Sequence, residues 1–230
     1  MKRAAILLFI ITASFIIWKQ TQANYSGILL KHSSIQSSLQ LQSQDQLDNI
    51  VLLPETDFDR AEAKGIIERL DHIPGHLLSA VEKQEIKVRL FEKKLTDFSS
   101  TSHLKGVTPR GYTNKRTTWD DVPGIGGSKL VLIKIGHSEK GMGHDSINLE
   151  LHELAHSIDR YVVNDPYSEM AFLQVWKREA PLLFPDRSYF MDYQEEYFAE
   201  TFAMYFFSRD SRNLLKRKAP STYQYFKTLN

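Results

Sequence analysis

The 230-residue chain contains no cysteine. Disulfides, thiolate zinc fingers, iron–sulfur clusters and thiol catalysis are therefore excluded, and any metal must be held by His, Asp or Glu. The chain also lacks an excess of charge of one sign. Twenty-nine Lys and Arg stand against 28 Asp and Glu, so no basic field points to nucleic acid as a partner. No internal repeat is visible. What is present, 42% apolar and 25% charged residues, suffices for one ordinary globular domain with a real core.

Residues 1–23 read as an address. Lys2-Arg3 is a charged start, 4–18 is an unbroken run of apolar and small residues, and Thr21-Gln22-Ala23 offers a cleavage site. The run falls short of the roughly 20 residues that span a bilayer. Secretion is therefore expected, with an uncleaved membrane anchor as the alternative. Removal of 1–23 leaves 26 basic and 28 acidic side chains. Residues 24–48 read as a spacer: ten of the fourteen residues from 33 to 46 are Ser or Gln, and Ile35, Leu39 and Leu41 are too few to build a core.

The folded domain is expected over 49–230. Strands are expected at 50–53, 86–91 and 130–135, where apolar residues run together or alternate. Helices are expected at 58–71, with Asp57 as N-cap, and at 74–84, with Pro74 in the first turn. Residues 106–127 read as loop and 136–144 as a glycine-containing turn. Beyond Asp145 the pattern is helical at 146–163, 166–180, 194–208 and 220–229. Early strands followed by helices indicate an α+β domain, a small N-terminal sheet with helices and a mostly helical C-terminal half.

His152-Glu153-Leu154-Ala155-His156 is an H-E-x-x-H sequence. A helix puts residues i and i+4 on one face, so both imidazoles can grip one zinc ion, and Glu153 beside them can take a proton from the attacking water. Two exposed helix histidines are the plain alternative, but the helix is amphipathic and the pair flanks its apolar stripe. A catalytic site needs a third ligand. The metzincin continuation fails, because Asp159 and Val162 occupy its glycine and histidine positions. A later glutamate remains, from Glu169, Glu179, Glu195, Glu196 and Glu200. Glu196 and Glu200 share a helical face otherwise rich in core residues, so one can ligate while the other orients a histidine.

The H-E-x-x-H, a tyrosine seven residues before a glutamate, and the run Glu196-Tyr197-Phe198-Ala199-Glu200-Thr201-Phe202 together resemble the catalytic domain of anthrax toxin lethal factor. The ending 219–225 is similar as well. Blocks 105–107, 118–128 and 143–153 resemble the small secreted Pro-Pro endopeptidases of that family. The resemblance covers about 49–230 and implies a zincin-like fold with one Zn2+ per chain. It makes His152, His156 and Glu196 the ligands, Glu153 the base and Glu200 the orienting carboxylate. It makes Tyr189 the hydroxyl that faces the oxyanion across the metal. Arg110, Tyr112, Trp119 and Glu195 match the flanks of the substrate cleft, although Arg110 stands where relatives have lysine and Tyr112 where they have tryptophan. The implied substrate is a proline-rich protein or peptide, such as a cell-surface protein, cut between two prolines. The alternatives are a lethal factor-like metalloprotease with another peptide specificity and a non-catalytic zincin-fold binding protein, although the latter has no need of Glu153 and Tyr189 together.

Overall fold

The computed structural model describes residues 26–111, 116–163 and 166–230. The expected signal, 1–23, and Tyr112 lie outside the described residues.

The sheet comprises β1 (Ile28–Leu29), β2 (Val51–Leu53), β3 (Lys87–Phe91), β4 (Gly124–Ile125) and β5 (Leu130–Lys134) in the order β1-β2-β3-β5-β4. β2, β3 and β5 run parallel, and β1 and β4 are antiparallel edges. Alternation along β3 buries Val88 and Leu90 in the main core, while Phe91 turns to a small satellite cluster with Leu95 and Leu132. Helices α1 (Gln44–Ile50), α2 (Arg60–Leu70) and α3 (Gly75–Lys83) precede or connect the early strands. Asp59, not Asp57, caps α2, accepting from the amides of Ala61 and Glu62. Pro74 is the N-cap of α3 instead of its first residue.

The later half is helical: α4 (Leu149–Tyr161), α5 (Pro166–Leu183), the single turn α6 (Tyr189–Asp192), α7 (Gln194–Phe207), α8 (Arg209–Lys218) and α9 (Pro220–Thr228). Asn148 caps α4 by accepting from the Leu151 amide at 3.0 Å. Leu149, Leu151, Leu154, Ala155 and Ile158 form its buried stripe. α7 is buried almost all round, and Phe198 meets Phe172 and Phe226 edge-on, each at 5.3 Å between ring centres. α4 packs against both the sheet and α7, which brings their functional side chains together. No helix among the described residues is long and apolar enough to cross a membrane.

The spacer expected at 24–48 is corrected. Leu30, Ile35, Leu39 and Leu47 are buried in the main core, and β1 pairs with β2, Ile28 opposite Leu53. The apolar residues here are sparse, but Leu30, Ile35, Leu39 and Leu47 enter the core, while most of the intervening Ser and Gln, Ser43 apart, reach water. Asp71 ties the segment down by accepting from the amides of Gln42 and Ser43 at 2.7 and 2.8 Å.

Candidate metal centre and cleft

His152 and His156 project from one face of α4, and their rings stand edge-on at 4.9 Å. Glu196, in the first turn of α7, meets both. Its Oε2 lies 3.4 Å from His152 Nε2 and 3.6 Å from His156 Nε2. One ligand atom from each residue falls within 4.8 Å of the others. Two imidazole nitrogens and a carboxylate converging from two helices fit a divalent transition metal such as zinc, with a side left open to the cleft.

Glu200, one turn along α7, sits behind this set. Its Oε2 is 3.2 Å from His152 Nδ1, and its Oε1 accepts from the Ile147 amide at 3.1 Å. Burial alone would depress the His152 imidazolium, but Glu196 and Glu200 outweigh it and raise it to about 10. Against burial, His152 and His156 hold the Glu196 carboxyl far below its usual range. The pocket thus favours positive charge against Glu196. Burial pushes the Glu153 carboxyl up, with both histidines acting in the opposite direction.

His152, Glu153, His156 and Glu196 line the floor of an open cleft of about 1320 Å³. One wall is the edge strand β4, which lies directly on α4. A β-carbon on Gly126 would sit 1.9 Å from the Glu153 carbonyl oxygen, so that glycine is required by the helix beneath it. The other wall carries Tyr189. Burial and the nearby Glu196 carboxylate push its phenol up, so it stays a hydroxyl donor. Gly111, at φ +83°, backs the ring: a β-carbon there would come within 2.6 Å of it.

Arg110 closes one end. Its Nη2 lies 2.7 Å from Glu195 Oε1 and 3.1 Å from Glu196 Oε1, and its guanidinium stacks 3.9 Å over the Tyr193 ring. Trp119 lines the cleft while packing against the Phe91–Leu95–Leu132 cluster. Of the other glutamates considered as ligands, Glu179 is buried elsewhere, accepting from the start of α9, and Glu169 lies on the cleft rim. His144 lines the cleft, but both its nitrogens are engaged within its loop, by Ser146 Oγ and the His137 carbonyl.

Sequence reasoning missed Tyr193, Gly111, Arg187 and Asp145. Tyr193 is one of ten tyrosines and nothing local distinguishes it. Arg187 and Asp145 pair across 42 residues, a separation that no spacing rule detects.

Residues 36–229 match the family described as anthrax toxin lethal factor, N- and C-terminal domain. The chain is 43% identical to a Pro-Pro endopeptidase of Clostridioides difficile strain 630 over 188 residues, 82% of this chain and 84% of that protein. It is 38% identical to a Pro-Pro endopeptidase of Paenibacillus alvei over 188 residues, 82% and 86% of the two chains. A solved structure of the Paenibacillus alvei Pro-Pro endopeptidase superposes with a TM-score of 0.75 at 37% identity, covering 80% of this chain and all of that one.

Proposed function

The chain belongs to the anthrax toxin lethal factor family and is a metalloendopeptidase; on that premise we propose that it uses zinc, acts outside the cell and cuts between two prolines. The observation that carries the reading is the convergence of His152, His156 and Glu196 within 4.8 Å on the floor of a cleft that Glu153 also lines. When bound, zinc supplies Lewis acidity, bringing the pKa of water at the site toward roughly 7. Glu153 takes the proton of the attacking water and hands it to the leaving nitrogen, a task suited to a carboxyl whose pKa is raised by burial. The Tyr189 hydroxyl donates to the oxyanion as it forms, a contribution typically worth about 3 kcal/mol. Glu200 holds the His152 ring through Nδ1, leaving Nε2 free for metal.

A Pro-Pro bond has no N–H on its second proline, and φ is fixed near −65° at both residues. A cleft that aligns an extended strand through that N–H handles such a bond poorly. Selectivity has to come from shape instead, and the support for it is the aromatic and cationic lining of Trp119, Tyr189 and Arg110, the last stacked on Tyr193, together with the names of the relatives. The substrate we propose is a proline-rich segment of a cell-surface protein. The apolar stretch 4–18 and Ala23 support export. If residues 1–23 were retained as an anchor, 28–48 would not act as a stalk, because they are packed into the domain. Mapping products from a peptide library with a fixed central Pro-Pro pair tests the substrate. Cuts at Pro-Pro support the reading, and cuts elsewhere oppose it.

A further inference from the structure

Tyr189 stands on weak foundations. It opens α6, a helix of four residues with no side-chain cap, and a single turn has no stability of its own. Its position must be imposed by what surrounds it. Phe190 anchors the turn from below, 2% exposed, with its carbonyl accepting from Trp176 Nε1 at 2.7 Å. Gly111 backs the ring. The Tyr193 ring packs 5.1 Å from that of Tyr189, and Glu196 and Arg110 meet the Tyr189 hydroxyl. A further tie is an ion pair two residues upstream. Arg187 Nη2 lies 2.6 Å from Asp145 Oδ2, and the same guanidinium stacks 4.4 Å over the Phe190 ring. The Arg187 carbonyl accepts from the Phe190 amide at 3.2 Å. Movement of Arg187 is therefore passed directly to the turn that carries Tyr189.

Asp145 is equally well connected on its side. It lies two residues before Ile147, whose amide binds Glu200, the carboxylate that orients His152. Lys140 Nζ also approaches Asp145, at 3.6 Å. The pair thus joins the segment that carries the hydroxyl to the segment that sets the metal-binding imidazole. We propose that the Arg187–Asp145 bridge is a positioning device that fixes the Tyr189 hydroxyl relative to the metal ligands. This rests on the role given to Tyr189 above.

The bridge is partly exposed, with side-chain accessibilities of 29% for Arg187 and 69% for Asp145. Pairs of that kind contribute little to stability. Their loss leaves the fold standing, whereas displacement of a reacting group by about 1 Å costs up to about 100-fold in rate. A rate defect without a stability defect is the signature of positioning.

The test is a double-mutant cycle on the metal-loaded full-length mature enzyme with a cleavable peptide. Arg187→Ala and Asp145→Ala should each lower kcat about tenfold, a partial misplacement on that scale, with KM and metal content unchanged and Tm lowered by a few degrees at most, and only in Arg187→Ala, which also loses its stack on Phe190. Arg187→Lys, which keeps the charge, should retain most of the rate. In a Tyr189→Phe background, Arg187→Ala should cost nothing further, since the group it positions is gone. An undiminished tenfold loss in that background, a change confined to KM, or wild-type kcat in either single variant overturns the proposal. A slow Tyr189→Phe enzyme beside an unaffected Arg187→Ala enzyme removes the bridge alone. A Tyr189→Phe enzyme at full rate removes the hydroxyl's role and the bridge with it.

Discussion

Glu200 holds His152 from behind. Its Oε2 lies 3.2 Å from Nδ1, while Nε2 of the same ring stands 3.4 Å from Glu196. On the proposed reading the two carboxylates, one turn apart on α7, do different work: Glu196 would ligate beside both imidazoles, and Glu200 would fix the ring that presents one of them. Glu196→Ala should leave purified protein with little zinc. Glu200→Ala should lower zinc affinity by about 10–100-fold without abolishing binding. Glu195→Ala, whose carboxylate meets Arg110, should leave zinc content unchanged. Metal analysis of the dialysed variants separates the three. Full zinc in Glu196→Ala would contradict the assignment.

Glu153→Gln should keep fold and zinc and lose nearly all hydrolysis, since the base goes while the ligands stay. Tyr189→Phe should lower kcat by about 10²–10³-fold with little change in KM, because the hydroxyl acts only once the oxyanion forms. Steady-state kinetics with one peptide decides both. A KM effect alone for Tyr189→Phe would make it a substrate-positioning residue.

Leu30→Ala or Leu47→Ala should destabilise the domain by about 2–5 kcal/mol, because each side chain is fully buried. Neither change would matter in a solvated spacer. Denaturant melts of the mature chain measure this, and removal of residues 24–48 should leave a chain that no longer folds cooperatively.

Glu179 makes stability depend on pH. Burial works against its charged form, but the amides of Thr222 and Ser221 and the Thr222 hydroxyl outweigh it, so its carboxyl lies below the ordinary 4.5. A depressed folded pKa gives stability that is fully present above the unfolded value and is lost as pH falls through the folded one. Glu179→Gln should therefore cost about 2 kcal/mol at neutral pH. The gap to the wild type should shrink in acid, below about pH 4. A constant gap across that range would mean the contact is not ionic.

The parts of this fold that were legible in the sequence are those with strong periodicity. The α4 helix shows its apolar stripe, and β3 and β5 show short apolar or alternating runs. β4 was hidden because a two-residue edge strand of Gly124 and Ile125 has no period to read. α8 was hidden because only Ser211 and Leu215 face inward among ten mostly charged residues. Composition is a poor guide to burial in the N-terminal segment, where four well-placed aliphatic side chains suffice to dock it. In the site, spacing alone could not divide the roles of Glu196 and Glu200. That division depends on which nitrogen of His152 each one meets, a matter of how α4 crosses α7. α5, expected at 166–180, runs on to Leu183 with Pro181 inside it.

The central claim is that this cleft takes a rigid pair of prolines, and one measurement tests it most directly. A flexible peptide with a central Pro-Pro bond is incubated with the zinc-loaded enzyme beside two versions in which one or the other proline is alanine, and the products are identified by mass. The account predicts a single cut between the prolines, with kcat/KM lower by at least about 100-fold for each alanine version, since a site shaped to φ near −65° must order a freer chain at a cost of about 1–2 kcal/mol per residue and loses the ring contacts as well. Equal cutting of all three peptides would contradict it.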